Sequence, residues 1–70
     1  MEDLKWIHKQ VHLIGCRVKV LHGEYAGEFA VVYEFHAESG NYKIAFERSS
    51  LDVPIFGGGY KAEYLEKVTA

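Results

Sequence analysis

Cysteine and histidine are the residue types in this chain that could carry the widest range of chemistry. The one cysteine, Cys16, stands beside Arg17, and four histidines elsewhere in the sequence are candidate bases for a thiol nucleophile. Cys16 also begins an apolar alternating stretch, however, where a buried and inert thiol is the usual outcome. The carboxylates occur at spacings typical of solvated faces, and no acid/base pair is evident among them. We therefore expect no catalytic residues and no enzyme activity.

Two further patterns match known ligand sites only in part. His8 and His12 are four residues apart, which on a helix places both rings on one face, but no third ligand lies nearby in sequence to complete a zinc tetrahedron. The three glycines at 57–59 are followed by Tyr-Lys-Ala at 60–62, which lacks the Lys-[Ser/Thr] ending of a phosphate-binding loop. The sequence therefore predicts no metal and no cofactor.

The aromatic residues are the better indication of function. Ten of the 70 residues, or 14%, are aromatic, which is more than the core of so short a domain requires. Tyrosine combines an apolar ring with a polar hydroxyl and is enriched at the centres of protein interfaces. The expected core aromatics are Phe29, Phe35, Phe46 and Trp6. The remaining candidates for a protein-binding face are Tyr25, Phe56, Tyr60 and Tyr64. The alternative is that these four residues only cap the ends of the fold and cover its N-terminal segment.

The charge of the chain is nearly balanced. Eight basic and ten acidic side chains give a formal net charge of −2, and no block of like charge occurs. Nonspecific nucleic-acid binding depends on lysine and arginine, in which this chain is not enriched. A basic cluster formed by folding is still an alternative, with Tyr25 as a stacking platform for a base. The residues of this alternative nucleic-acid site are Arg17, Lys19, Tyr25, Lys43 and Arg48.

The N-terminal residues that precede the alternating stretch have a helical pattern. Leu4, Ile7 and Val11 recur at helical spacing, Asp3 is a suitable N-cap, and Gly15 ends the pattern. The spacing predicts a short helix over residues 3–13. Residues 11–14 fit an extended segment equally well.

From residue 16 onward the apolar period changes to two, which is typical of strands. A first strand alternates at Cys16, Val18 and Val20, and a second strand extends over residues 29–36. Glu-Ser-Gly-Asn at 38–41 is a tight-turn signal. It leads into a third strand with one apolar face, formed by Tyr42, Ile44 and Phe46.

The last third of the chain completes the β pattern. Residues 48–52 are polar and loop-like. Pro54 makes residues 53–56 an edge strand or the entrance to a strand, because proline lacks a backbone donor. The glycines at 57–59 are expected to form a flexible bend, after which residues 60–68 supply a short turn and the last strand, with Leu65 and Val68 at the bottom of the fold. Five short strands with tight connections predict a small, strongly bent β-barrel.

Residues 15–32 resemble the KOW motif, which has a strand of the form V-x-V, a loop G-x-[YF]-x-G and a second strand opening with Gly-x-Val. The matching residues are Val18, Val20, Gly23, Tyr25, Gly27 and Val32, and Ala30 stands in place of the usual third glycine. Residues 63–68 are similar to the closing turn and strand of SH3-like barrels, to which KOW domains belong. The resemblance implies a mainly β fold: a five-stranded SH3-like barrel over residues 15–70, with residues 1–14 as a helical extension packed on it.

KOW domains occur in ribosomal proteins and transcription elongation factors, where they bind RNA or proteins and are not catalysts. The resemblance places the contact surface on the outward side chains of the first strand and on the loop that follows it. Family members that bind RNA tend to be strongly basic, which this chain is not. We therefore expect a protein-binding interaction module, with RNA or DNA binding as the alternative. The contact positions that the resemblance implies are Arg17, Lys19, His22, Glu24 and Tyr25.

The setting of the protein is predicted from what the sequence lacks. A single cysteine cannot form an internal disulfide, no secretory signal is visible at the N-terminus, and no apolar run is long enough to cross a membrane. These features predict a cytoplasmic protein. An exposed edge strand leaves room for self-association into a homo-oligomer. The small size also suits a phage or mobile-element accessory factor, an interpretation that depends on size and analogy alone.

Overall fold

A computed structural model describes residues 8–48 and 55–69 of the chain. Within these residues the protein is mainly β, as predicted, and no helix is long and apolar enough to cross a membrane. A single-turn 3-10 helix (Ala62–Tyr64) precedes the last strand. The five strands are β1 (Arg17–Val20), β2 (Phe29–His36), β3 (Asn41–Phe46), β4 (Phe56–Lys61) and β5 (Leu65–Lys67).

All five strands belong to one antiparallel sheet with the order β4-β3-β2-β1-β5. Strands β1 to β4 therefore pair with their neighbours in the chain, whereas β5 returns to pair with β1. This return brings Leu65 opposite Val20. In the part of the chain that the structure describes, β4 and β5 are the two edges and the sheet is not closed.

The core lies on the inner face of this sheet. The predicted inward positions of β1 and β3 are confirmed, because Val18, Val20 and the alternate residues of β3 are buried. Alternation puts every second side chain of a strand on the same face, so two short strands suffice to supply most of the core. The buried core consists of Val18, Val20, Ala30, Val32, Tyr42, Ile44, Phe46 and Leu65.

The inward face of β2 differs from the predicted one. The prediction that Phe29 lies in the core is wrong, because its side chain is 36% exposed whereas Ala30 beside it is fully buried. A register shift halfway along β2 then reverses the alternation, so that Phe35 packs against the core with its ring centroid 4.7 Å from that of Tyr42. The physical cause is a β-bulge, which adds a residue to one strand and turns the following side chains to the other face.

The predicted N-terminal helix is absent from residues 8–14, and the rest of it, with Trp6, lies outside the described residues. The backbone N–H groups of Val11 and His12 donate to the hydroxyl of Tyr42, at 2.7 and 3.2 Å. These groups are therefore not available for the carbonyls four residues earlier that a helix requires. There is no buried helical stripe, since His12 is the one buried residue in the range 8–15 and Val11 before it is 64% exposed.

Tyr42 anchors this N-terminal segment on the sheet. Its ring is fully buried, and the ring of His12 meets it edge-on with the centroids 5.3 Å apart. The Nε2 atom of His12 lies 3.0 Å from the carbonyl oxygen of Ala62. Because a carbonyl oxygen only accepts, Nε2 carries the proton, and the segment is tied to both β3 and the 3-10 helix.

The glycines at 57–59 form no flexible bend, contrary to the prediction, because they lie inside β4. A register shift in the β3–β4 pairing accommodates them, and Gly59 has a φ of +76°, in the left-handed region that favours glycine. The predicted edge strand at 53–56 is described only from Ile55 onward, and β4 is indeed an edge of the sheet.

We predict that Tyr42→Phe lowers the free energy of unfolding by about 1–3 kcal/mol, because two backbone N–H groups lose their acceptor. Urea denaturation measures this change. The matched control is Tyr33→Phe, which alters an exposed tyrosine and is expected to change stability by less than about 0.5 kcal/mol. Equal losses in the two variants would contradict the anchoring role of Tyr42.

Candidate functional site

The loop between β1 and β2 brings two of the four predicted protein-binding residues together. Tyr25, in this loop, lies against Phe46 with the ring centroids 5.0 Å apart, and Tyr60 of β4 meets the same Phe46 ring edge-on at 6.4 Å. Phe46 is buried, whereas Tyr25 and Tyr60 are only partly buried. We call these three residues the aromatic cluster. The cluster forms a surface that is continuous with the core and on which the two tyrosines are partly exposed to solvent.

Two glycines position Tyr25 within the loop. Gly23 and Gly27 have φ angles of +94° and +96°, which residues with a Cβ rarely adopt. The N–H of Gly27 donates to the carbonyl of Val20 at 2.7 Å, and the N–H of Val20 donates to that of Glu28 at 2.8 Å. These bonds close the loop at its base and hold Tyr25 over the sheet.

Charged groups border the aromatic cluster. The guanidinium of Arg48 lies over the Tyr25 ring, 5.2 Å from its centroid, and Arg48 Nε is 3.1 Å from Glu28 Oε1. Burial raises the pKa of the Tyr60 hydroxyl, and Tyr25, Glu24 and Glu28 raise the pKa further through their charges. The tyrosines of the cluster therefore lie near two carboxylates, Glu24 and Glu28, and near the guanidinium of Arg48.

Tyr64 borders the same loop from another side. Its ring is stacked on His22 with the centroids 4.7 Å apart, and Lys61 Nζ lies 5.9 Å from the centroid of the Tyr64 ring. The N–H of Leu21 donates to the carbonyl of Tyr64 at 2.8 Å, which fixes the 3-10 helix against the loop. Tyr64 is thus placed beside the loop that carries Tyr25, although its ring partner is a histidine.

Phe56 does not join the other three predicted residues. It lies opposite Ala45 on the outer face of the sheet, where it is 59% exposed and meets the ring of Tyr33 edge-on at 5.5 Å. Tyr33 is an exposed aromatic residue that was not among the predicted site residues, because regular alternation along residues 29–36 puts it on the same face as Phe35. The bulge in β2 separates the two, and no signal in the sequence marks it.

Arg17, one of the basic residues of the alternative nucleic-acid site, is held by a carboxylate. Its Nε and Nη2 atoms donate to Glu47 at 2.5 and 2.9 Å, and its guanidinium lies 4.3 Å from the centroid of the Phe29 ring. The hydrogen bonds raise the pKa of Arg17 and lower that of Glu47, against a smaller opposing effect of desolvation. Arg17 is therefore engaged in a two-point pair on the outer face.

The other basic residues of that alternative are spread over the surface. Arg48 pairs with Glu28 as described, and Lys43 Nζ lies 3.8 Å from Glu34 Oε2. Lys19 of β1 forms no ion pair within the described residues. The structure thus places Tyr25 and Arg48 together, while carboxylates lie beside three of the four basic groups.

The residues considered for metal binding and catalysis do not converge either. No group of three histidine, cysteine, aspartate or glutamate side chains suited to a metal ion occurs in residues 8–48 and 55–69. His8 lies against Gly40, whereas His12 is bonded to Ala62. Cys16 is partly buried against the core, and its thiol lies 3.5 Å from the carbonyl of Arg17.

We predict that Gly57→Ala displaces the Tyr60 ring and lowers the free energy of unfolding by about 1–3 kcal/mol. A Cβ at this position would lie 2.8 Å from Tyr60 Cε2 and 3.0 Å from Phe46 Cε2. Gly58→Ala is the matched control, since its Cβ would make only an ordinary 3.7 Å contact with Lys43. Urea denaturation and ring–ring nuclear Overhauser effects measure the two changes, and equal behaviour of the variants would show that the cluster is not tightly packed.

We also predict an acid-dependent contribution from the pair of Glu47 with Arg17. A carboxyl group with a lowered pKa stabilises the fold above its unfolded pKa and loses this effect as the pH falls through its folded pKa. Glu47→Gln is therefore expected to lower the Tm at neutral pH, with the difference from wild type shrinking below about pH 5 and vanishing once Glu47 is protonated. Thermal unfolding at a series of pH values measures this. Glu66→Gln, at an exposed glutamate without an ion pair in the described residues, is the control. A Tm difference for Glu47→Gln that does not change with pH would refute the assignment.

Comparison of the chain with protein-family models, with curated proteins and with solved structures finds no match.

Proposed function

We propose that this chain is a non-enzymatic protein-binding domain of the SH3-like barrel type, which contacts its partner through the surface around the β1–β2 loop. The observation that carries the proposal is the convergence of Tyr25 and Tyr60 on the buried ring of Phe46, with Tyr64 beside the same loop. Tyrosines backed by a packed core lose little side-chain freedom on binding and offer both apolar and polar contacts.

The strand arrangement supports the barrel. The first strand pairs with the last through Val20 and Leu65, and the sheet contains two register shifts, one in the β2–β3 pairing and one in the β3–β4 pairing. Bulges increase the bending and twist of a sheet, which five short strands need in order to enclose a core. The KOW-like resemblance of residues 15–32 fits the same interpretation, since its loop is the one that carries Tyr25.

The charges near the cluster favour a protein over a nucleic acid. Glu24 and Glu28 lie close enough to Tyr60 to influence its hydroxyl, so a phosphate backbone on this surface would meet negative charge. Arg17 and Lys43, away from the cluster, are paired with Glu47 and Glu34. A protein partner with apolar and positively charged groups fits this surface better than RNA or DNA.

The test is affinity capture with the tagged domain from extract of the source cells, before and after nuclease treatment. We expect protein partners that survive nuclease and high salt and that are lost by at least about tenfold with the Tyr25→Ala/Tyr60→Ala double variant. Phe56→Ala, which truncates an exposed aromatic on the outer face, is the control and is expected to keep the partners. Amide resonances give a check that each variant is folded.

Two results would contradict the proposal. One is capture that depends on nucleic acid, together with amide shifts on adding oligonucleotides at low salt that fade steeply as salt is raised. The other is partner capture that the double variant retains but Phe56→Ala loses, which would move the binding surface to the outer face of the sheet.

A further inference from the structure

We propose that the aromatic cluster recognises an arginine side chain of the protein partner, and that Arg48 occupies this position in the free domain. The inference rests on the proposed protein-binding function of the same surface and identifies the chemical group that this surface binds.

In the free domain, the site formed by Tyr25 and Glu28 already holds a guanidinium group. The Arg48 side chain lies over the Tyr25 ring at 5.2 Å and within 3.1 Å of the Glu28 carboxylate. A guanidinium is planar and weakly hydrated, so it can stack on an aromatic ring while it donates hydrogen bonds to a carboxylate. Tyr25 and Glu28 together therefore supply both of the contacts by which proteins bind arginine.

Arg48 is held loosely enough to be displaced. Its side chain is 51% exposed, and within residues 8–48 and 55–69 its one ion-pair contact is the approach of Nε to Glu28 Oε1. Exposed single-contact pairs contribute little to stability because both groups are well solvated when they separate. An arginine from a partner can therefore replace Arg48 without disturbing the fold.

The site also holds more negative charge than Arg48 can neutralise, because two carboxylates, Glu24 and Glu28, lie near Tyr60. Glu24 forms no ion pair within the described residues, yet it acts on the Tyr60 hydroxyl together with Glu28. Tyr60 supplies a second ring beside Tyr25, on the other side of Phe46. This charge complementarity favours a cationic side chain and disfavours acidic peptides and phosphates.

Arg17 provides an internal comparison on the opposite face. It also lies over an aromatic ring, Phe29, and beside a carboxylate, Glu47. Its pair with Glu47 is a two-point one, however, and a bidentate pair is harder to displace than a single contact. Substitution of Arg17 therefore removes a guanidinium with the same two kinds of contact from the outer face of the sheet, where no partner arginine is expected to bind.

The experiment is a titration of the full chain, followed by nuclear magnetic resonance, with the blocked tripeptide Gly-Arg-Gly and with the same peptide containing citrulline. Citrulline keeps the planar shape of arginine but has no charge. We expect the arginine peptide to shift the ring resonances of Tyr25 and Tyr60 and the citrulline peptide to bind at least several-fold more weakly. Arg48→Gln removes the internal competitor and is expected to strengthen binding of the arginine peptide by roughly two- to fivefold. Arg17→Gln is the matched control and is expected to leave the affinity unchanged.

The inference is overturned if the citrulline peptide binds as well as the arginine peptide, or if Arg48→Gln and Arg17→Gln have the same effect. It is also overturned if neither wild type nor Arg48→Gln binds the arginine peptide while partner capture still depends on Tyr25 and Tyr60; in that case the proposed protein-binding function stands. Arginine binding that meets the expectations while the Tyr25→Ala/Tyr60→Ala variant keeps its protein partners confirms the arginine site and refutes the proposed function of this surface.

Discussion

Two hydrogen bonds to the hydroxyl group of Tyr42 hold the N-terminal segment, residues 8–14, on the sheet. This hydroxyl lies on a fully buried ring of β3 and accepts the backbone N–H groups of Val11 and His12. N–H groups without an acceptor are costly when buried, so this oxygen fixes the chain at Val11 and His12. Backbone hydrogen bonds from His8 to Ala37 and from Gly15 to Val32 fix the segment on either side. The imidazole of His12 then reaches the carbonyl of Ala62, and the ring of Tyr42 packs on Phe35. Four separate segments of the chain are thereby joined around a single side chain.

Both arginines of the chain lie between an aromatic ring and a carboxylate. Arg17 lies between an aromatic ring and Glu47 on the outer face, and Arg48 lies between Tyr25 and Glu28 at the aromatic cluster. The two pairs differ in geometry, since the first is bidentate and a single atom pair is described for the second. In the proposed mode of binding, only the second pair exchanges its arginine for that of a partner.

A large part of the fold could be predicted from residue patterns. The bounds of the second strand at 29–36 are confirmed, as are the inward residues Val18 and Val20 and the apolar face of β3, because alternation with a period of two directly reflects burial of one sheet face. The loop at 23–27 was predicted from its glycines, and Gly23 and Gly27 do have positive φ angles. Of the four residues predicted for a protein-binding face, Tyr25 and Tyr60 both contact Phe46, whereas Phe56 lies on the other face of the sheet.

Local periodicity and composition were enough to predict the mainly β class, the first three strands and the excess of aromatic residues over what a small core needs. They did not predict β4, because its glycines are typical of a bend. Which aromatic residues face inward depends instead on how the strands pair. Phe29 faces outward because Ala30 and Val32 face the core, and the bulge after Val32 then turns Phe35 inward. The register shift beside Gly57 brings Tyr60 over Phe46. Such shifts depend on how neighbouring strands pair, and helical spacing near His12 lost to hydrogen bonds with a residue 30 positions away. Contacts of this kind leave no trace in a local pattern.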